Sequence, residues 1–308
     1  MIDLHLHSTN SDGSETPEEL VVRGRQAGLT AMALTDHDNM GGAEEFLAAC
    51  RTHGMTGIAG VEISAAVEEG HGTLHILGYG ADPAHPLMKE SLDRVLDSRA
   101  WRNEQILAKL NELGLELEWG EVQSCAGENV VGRPHFAQAM IDRDHVSSMA
   151  EAFERYLAKG RPAYIDRYRL YPEEGIRMIR EAGGVAVIAH PFTWELDETR
   201  LEAGLCALKE AGLEGVEAVY SEYNQEQTIT LLRLAKKLSL LTTGGSDYHG
   251  HAKPDIALGR GFGGLCVPDS YLQPLLQRLG PATPWVVVGG RASALSESAT
   301  AAGPVRIS

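Results

Sequence analysis

The first residues able to do chemistry are His5 and His7, set in Ile2-Asp3-Leu4-His5-Leu6-His7-Ser8. Apolar Ile2, Leu4 and Leu6 alternate with Asp3, His5 and His7, which is the two-residue period of a strand. On a strand the two imidazoles point the same way and can share a metal ion. A surface strand or a hydrogen-bonded core accommodates the same pair, so the company they keep decides. Asp12, His37, Glu62, His75, His190, Asp247 and His249 are the other candidates. Six histidines and three carboxylates exceed the roughly three protein ligands of a single catalytic ion. They suit two or three ions sharing a bridging carboxylate. Imidazole and carboxylate without thiolate are compatible with Mn, Fe or Zn.

The elements that must position these residues are strands alternating with helices. After the first strand, Ser11-Asp12-Gly13-Ser14 has the composition of a turn. Thr16, Pro17 and Glu19 then read as N-cap, first helical residue and capping box of a helix. Ala31 to Thr35 is a buried strand ending in Asp36-His37-Asp38, and Gly57 to Ile63 is a third, carrying Glu62. Thr73 to Tyr79 is a fourth, with His75 on it. Val185 to Ala189 closes on His190, Gly215 to Tyr220 carries Glu217, and Leu240 to Gly244 leads into Ser246-Asp247-Tyr248-His249. Seven strands, each followed by a helical segment, predict a parallel α/β barrel. In such a barrel the C-terminal strand ends converge on one face, and the candidate ligands fall on or just beyond them.

Residues 82–165 interrupt the alternation with helical periodicity. Leu92, Val95, Leu96, Ile106, Leu107 and Leu110 recur at three- and four-residue spacings along a helix from Pro86 to Leu113. The barrel is therefore expected over 1–81 and 166–290, with 82–165 a helical insertion capping the substrate. A short strand-like run, Trp285 to Val288, follows, and the small polar tail 291–308 is expected to be disordered.

Composition narrows the function. Hydrophobic residues at 43% and charged ones at 23% of 308 residues are ordinary globular values. No run of about 18 apolar residues suggests a membrane span, and the N-terminus lacks the basic-then-apolar order of a signal peptide. Cys50, Cys125, Cys206 and Cys266 are scattered without Cys-x-x-Cys spacing, as expected for free thiols in a cytoplasmic protein. A formal net charge of −16 argues against binding long duplex DNA. A small anion remains possible, because bound ions reverse the local potential.

As an ordered set, His5-x-His7, Asp12-Gly13, Thr35-Asp36-His37-Asp38, Gly60-Val61-Glu62, His75, Ala189-His190-Pro191 and Ser246-Asp247-x-His249 resemble the four motifs of the PHP (polymerase and histidinol phosphatase) family. The resemblance implies a distorted seven-stranded (β/α) barrel with three divalent metal ions, manganese first among them, that hydrolyses phosphate esters. By motif, His5, His7, Glu62 and Asp247 would hold one ion. Glu62, bridging, with His75 and His190 would hold the second, and Asp12, His37 and His249 the third. Gly132-Arg133-Pro134-His135, Arg99-Ala100-Trp101-Arg102 and Tyr156-Leu157-Ala158-Lys159-Gly160 look most like one bacterial subgroup. Its members act on 3',5'-nucleoside bisphosphates and short 5'-phosphorylated oligoribonucleotides, including a 5'-to-3' exoribonuclease.

The expected reaction is in-line attack on phosphorus by a hydroxide bridging the first two ions, with His37, Asp247 and His249 as catalytic residues. Arg99, Arg102 and Arg133 are candidates for gripping phosphate, and His135 or His249 for positioning or protonating the leaving oxygen. Arg99 and Arg102, three apart on a helix, fit a solvated face equally well. Asp36 could orient a ligand histidine, and Asp38 could be a loop residue or a substrate contact. Glu217 and Glu222 could support the ligands, without an assigned role. Histidinol-phosphate phosphatase is the alternative enzyme. A non-catalytic metal- or nucleotide-binding module is the alternative from another class.

Overall fold

The computed structural model describes residues 1–68, 70–126, 130–281 and 283–289. The expected tail 291–308 lies outside the described residues. Seven strands follow one another around a nearly closed barrel: β1 (Ile2–Leu6), β2 (Ala31–Leu34), β3 (Thr56–Ala65), β4 (Leu74–Tyr79), β5 (Val185–Ala189), β6 (Gly215–Tyr220) and β7 (Leu241–Gly245). Residues just past β7 complete the circuit. The Asp247 N–H donates to His5 O and the His7 N–H to Tyr248 O, each at 3.0 Å. This closure requires Gly245, because a Cβ there would lie 2.3 Å from the Cβ of His5. An eighth strand, β8 (Val286–Val287), pairs antiparallel with β3 and accounts for the Trp285–Val288 run.

The barrel departs from the expected parallel order at one strand. β4 runs antiparallel to both β3 and β5, while the other neighbouring pairs are parallel. The reason is chain length: the link from Ala65 to Leu74 is shorter than the dozen or so residues a parallel crossover needs. His75 therefore stands at the start of its strand rather than beyond the end. Because it pairs in register with Ser64, reversal leaves it at the same rim as Glu62. His75, Leu77 and Tyr79 share one face of β4 by strand period. Leu77 and Tyr79 join Ile58, Val185 and Val187 in an apolar cluster, so this face changes from apolar to polar towards the rim.

Helices α1 (Pro17–Gln26) and α2 (Ala43–His53) cover the first strands. The capping box between Thr16 and Glu19 is formed, with the Glu19 N–H donating to Thr16 Oγ1 at 3.2 Å. Between β4 and β5 come α3 (Pro86–Glu112), α4 (Trp119–Ala126), α5 (Arg133–Asp142) and the short α6 (Met149–Ala152). The 27 residues of α3 extend about 40 Å and serve two cores. Met88, Leu92 and Val95 pack with barrel residues such as Ile63 and Ile76. Ile106 and Leu110 pack with Val122, Phe136, Met140 and Leu157 in a separate cluster. Barrel helices resume with α7 (Pro172–Glu181), α8 (Glu198–Glu210), α9 (Gln225–Leu238) and α10 (Leu272–Leu279). Among the described residues, no helix is long and apolar enough to cross a membrane.

Candidate metal centre

Glu62, fully buried on β3, is the hub of the rim. Backbone bonds fix it beside the second candidate segment: its N–H donates to Asp36 O at 3.0 Å, and the Asp38 N–H donates to Glu62 O at 2.9 Å. His37 is thereby held next to it. Glu62 Oε1 lies 2.8 Å from His75 Nδ1 and 2.9 Å from His190 Nε2. Its Oε2 lies 2.9 Å from His37 Nδ1, 3.2 Å from His7 Nε2 and 3.3 Å from His5 Nε2. Asp247 Oδ1 approaches His7 Nε2 at 3.1 Å and His5 Nε2 at 3.6 Å. Asp12 Oδ1 lies 3.2 Å from His249 Nε2 and 3.7 Å from His7 Nδ1, and Asp12 Oδ2 lies 3.8 Å from His37 Nε2.

The fold thus brings all nine sequence candidates into one continuous cluster. Three of its groupings place their donor atoms within one ion's reach: His5, His7, Glu62 and Asp247; His7, Asp12, His37 and His249; and His37, Glu62 and His75. The first is the set expected by motif. The second adds His7 to the expected trio. In the third, His37 takes the place expected for His190, although His190 touches the same Glu62 oxygen.

The donor chemistry fits divalent cations. His5 Nε2, His7 Nε2, His37 Nδ1 and Glu62 Oε2 are buried and, despite these short approaches, make no well-directed hydrogen bond, an arrangement that is costly unless a cation satisfies them. Charge points the same way. Burial alone would raise the Glu62 carboxyl, but His37, His5 and His75 outweigh it and hold it well below the usual carboxylate range. Burial would lower His5, but Glu217, Glu62 and Asp247 raise it well above the ordinary imidazole value. An anionic cluster of this kind takes either protons or metal ions.

Neighbouring residues hold the candidate ligands in place. Glu217, fully buried on β6, accepts at 3.0 Å from His5 Nδ1 and at 2.8 Å from the His190 N–H. It is the carboxylate–histidine pairing that sets a ligand's tautomer and ring orientation. Sequence reading left it without a role, although a carboxylate inside the apolar run Gly215–Tyr220 is itself a signal. Replacing Glu217 by Ala is expected to weaken metal binding about 10–100-fold, measured by calorimetric titration; unchanged affinity would contradict this role. Asp36 acts one step away from the ligands. It accepts from the Ser8 N–H, Ser8 Oγ and Ser11 Oγ at 2.7, 2.7 and 2.6 Å, pinning the loop that carries Asp12. Tyr220 and Lys253, also unassigned from sequence, hold Asp247 Oδ2 at 3.0 and 2.7 Å. Asp38, His190 and Asp247 have φ of 52°, 26° and 56°, strained values of the kind that cluster at functional sites.

The segment between β4 and β5 touches this rim and carries arginines. The Val130 N–H donates to Ser11 O at 3.0 Å, docking the segment before Arg133 on the Asp12 loop. His135 Nδ1 accepts from the Gly132 N–H at 2.9 Å, and burial lowers its pKa. Arg133 is half-buried, with Nη1 3.3 Å from Leu157 O and its guanidinium 5.5 Å from the Tyr164 ring centroid. Arg99 is not a solvated side chain: its Nη2 donates to Asp38 Oδ2 at 2.7 Å. Arg102 is buried, with Nη2 2.6 Å from Asn103 Oδ1. Burial and the charges of Arg99, Arg167 and Arg133 push Arg102 down to about 9, so it remains cationic at neutral pH. Arg167, in the segment leading back to α7, carried no sequence signal; it donates to Asp38 Oδ2 at 2.9 Å.

Comparison with known proteins agrees with this geometry. The PHP domain model matches residues 3–163. The 3',5'-nucleoside bisphosphate phosphatase of Chromobacterium violaceum is 33% identical over 270 residues, covering 87% of this chain and 94% of that protein. The 5'-3' exoribonuclease Rnm of Escherichia coli K12 is 34% identical over 260 residues, covering 84% and 88%. A solved chain from Bifidobacterium adolescentis, for which a metal-dependent phosphoesterase role has been proposed, superposes with a TM-score of 0.77 at 29% identity, over 90% of this chain and 96% of that one. With the matched domain, the near-full-length likeness and the histidine–carboxylate rim in agreement, this chain belongs to the PHP family.

Proposed function

We propose that the chain is a metal-dependent phosphoesterase that removes the 3'-phosphate of 3',5'-nucleoside bisphosphates and/or degrades short 5'-phosphorylated oligoribonucleotides 5'-to-3'. The observation that carries this reading is the meeting of two opposite charges at one rim. A buried histidine–carboxylate cluster with unpartnered donor atoms lies beside arginines that the insertion brings in from α3 and α5. The first suits the reacting phosphoryl group with its ions. The second suits another phosphate on the same substrate.

In this reading His5, His7, Asp12, His37, Glu62, His75, His190, Asp247 and His249 would hold up to three divalent ions. Manganese is favoured, with iron or zinc compatible. Bound ions of this type lower the pKa of water and offset charge on phosphoryl oxygens. The protein fixes the donor directions through Glu217, Tyr220 and Lys253 and keeps bulk water from the hub by burying it. Arg99, Arg102 and Arg133 orient the second phosphate, which places the ester to be cleaved in line. His135 accepts at Nδ1 from a backbone amide, so in its neutral form it carries its proton on Nε2. That tautomer suits a hydrogen bond positioning the leaving oxygen. His37, which belongs to two of the groupings, and Asp247 and His249, whose Oδ1 and Nδ1 approach to 3.5 Å between the other two, are the side chains on which turnover depends most.

The test is phosphate and nucleotide release from purified protein supplied with manganese. Substrates are 3'-phosphoadenosine 5'-phosphate, an RNA oligomer with and without its 5'-phosphate, and histidinol phosphate. Turnover of the bisphosphate and of the 5'-phosphorylated oligomer, with loss when that phosphate is removed, is expected. Turnover of histidinol phosphate alone would overturn the nucleotide reading while leaving the metal centre in place.

A further inference from the structure

Asp38 joins three parts of the molecule through one side chain. Its carboxylate is fully buried, and Oδ1 accepts from the Ser64 N–H at 2.9 Å, two residues beyond Glu62 on β3. Oδ2 accepts from Arg99 Nη2 at 2.7 Å and from Arg167 Nη2 at 2.9 Å. Arg99 comes from α3, where the chain leaves the barrel, and Arg167 from the segment where it returns. The backbone of Asp38 is held in the left-handed region, φ 52°, by its own N–H bond to Glu62 O. Asp38 is therefore tied on one side to β3, at Glu62 and just beyond it, and on the other to the two arginines.

One carboxylate oxygen shared by two guanidinium groups leaves an excess of positive charge. The buried Nε of Arg99 has no hydrogen-bond partner, and Arg102 lies among Arg99, Arg167, Arg133 and Arg169 close enough for their charges to act on it. A structural salt bridge would match charges one to one. This arrangement instead holds two forks in fixed directions with donors to spare, as recognition of a planar or tetrahedral oxyanion requires.

We propose that Asp38 is a positioning residue that sets Arg99 and Arg167 as a pair for the second phosphate of the substrate, at a fixed distance from the ester cleaved at Glu62. The proposal rests on the bisphosphate reading above and adds Arg167 to the groups that contact this phosphate. Asp38 itself acts only through the two arginines.

The experiment compares kcat/KM for 3'-phosphoadenosine 5'-phosphate with that for p-nitrophenyl phosphate, which has no second phosphate. For Asp38→Asn, the ratio of the two is expected to fall about 10-fold or more, most of the loss appearing in KM for the bisphosphate. Because Asp38→Asn leaves two buried guanidinium groups without their shared counter-charge, Arg167→Lys is the second variant. It keeps the charge and loses the fork, and the same ratio is expected to fall. Equal losses on both substrates, in either variant, would show that the network serves the metal centre or the fold and would overturn the proposal. An unchanged ratio would overturn it as well. A wild-type enzyme with no preference for the bisphosphate would overturn the nucleotide reading and this proposal together, whereas a wild-type preference that neither variant reduces would overturn the proposal alone.

Discussion

Glu62→Gln is expected to abolish turnover, by at least about 10³-fold, while leaving the barrel folded. The substitution keeps size and shape and removes one negative charge from a position that touches His5, His7, His37, His75 and His190. A bridging carboxylate loses more than one ligand bond when neutralised, because every ion that shares it is weakened. Removing a single preorganised electrostatic group commonly costs about 10²–10³ in kcat, and in the proposed centre two ions would share this one. Circular dichroism with the phosphate-release assay would check both halves. Retention of more than a tenth of wild-type kcat would contradict the role given to Glu62. His37→Ala and Asp247→Ala are expected to follow the same pattern, since each also serves the cluster.

The second large effect is expected at the arginine group. Arg102→Ala should reduce kcat/KM on the bisphosphate by about 10²–10³-fold. The desolvation of this guanidinium is already met in the free protein, where it is buried and surrounded by like charge. An arriving phosphate relieves that repulsion and gains charge-assisted hydrogen bonds worth about 1.5–3 kcal/mol each, and every 1.4 kcal/mol is a factor of ten. Steady-state kinetics on the bisphosphate reads the loss directly. A change of less than threefold would place Arg102 in the packing of α3 rather than against substrate.

The sequence carried the rim more fully than the barrel that supports it. The candidate ligands stand out because imidazoles and carboxylates at strand ends have few other reasons to be there, and the nine meet in space. The order of strands was legible from the alternation of apolar runs. The direction of β4 was not read from it, although the short link between Ala65 and Leu74 contains the information. Periodicity reports which face a residue takes, not which way a strand runs. Asp38, Glu217 and Arg167 show a second limit. Their partners are distant in the chain, so local pattern could mark Glu217 as out of place in an apolar strand but could not say that His5 faces it. Arg99 looked as suited to solvent as to a site, because helical spacing is silent on what lies across the groove.

The most direct test of the central claim is to strip the protein of metal with a chelator, add manganese stepwise, and measure bound ions per chain together with phosphate release from 3'-phosphoadenosine 5'-phosphate. No turnover is expected in the stripped protein, and activity should rise with occupancy, to as many as three ions in the cluster around Glu62. Full activity in protein holding less than one ion per chain would contradict it.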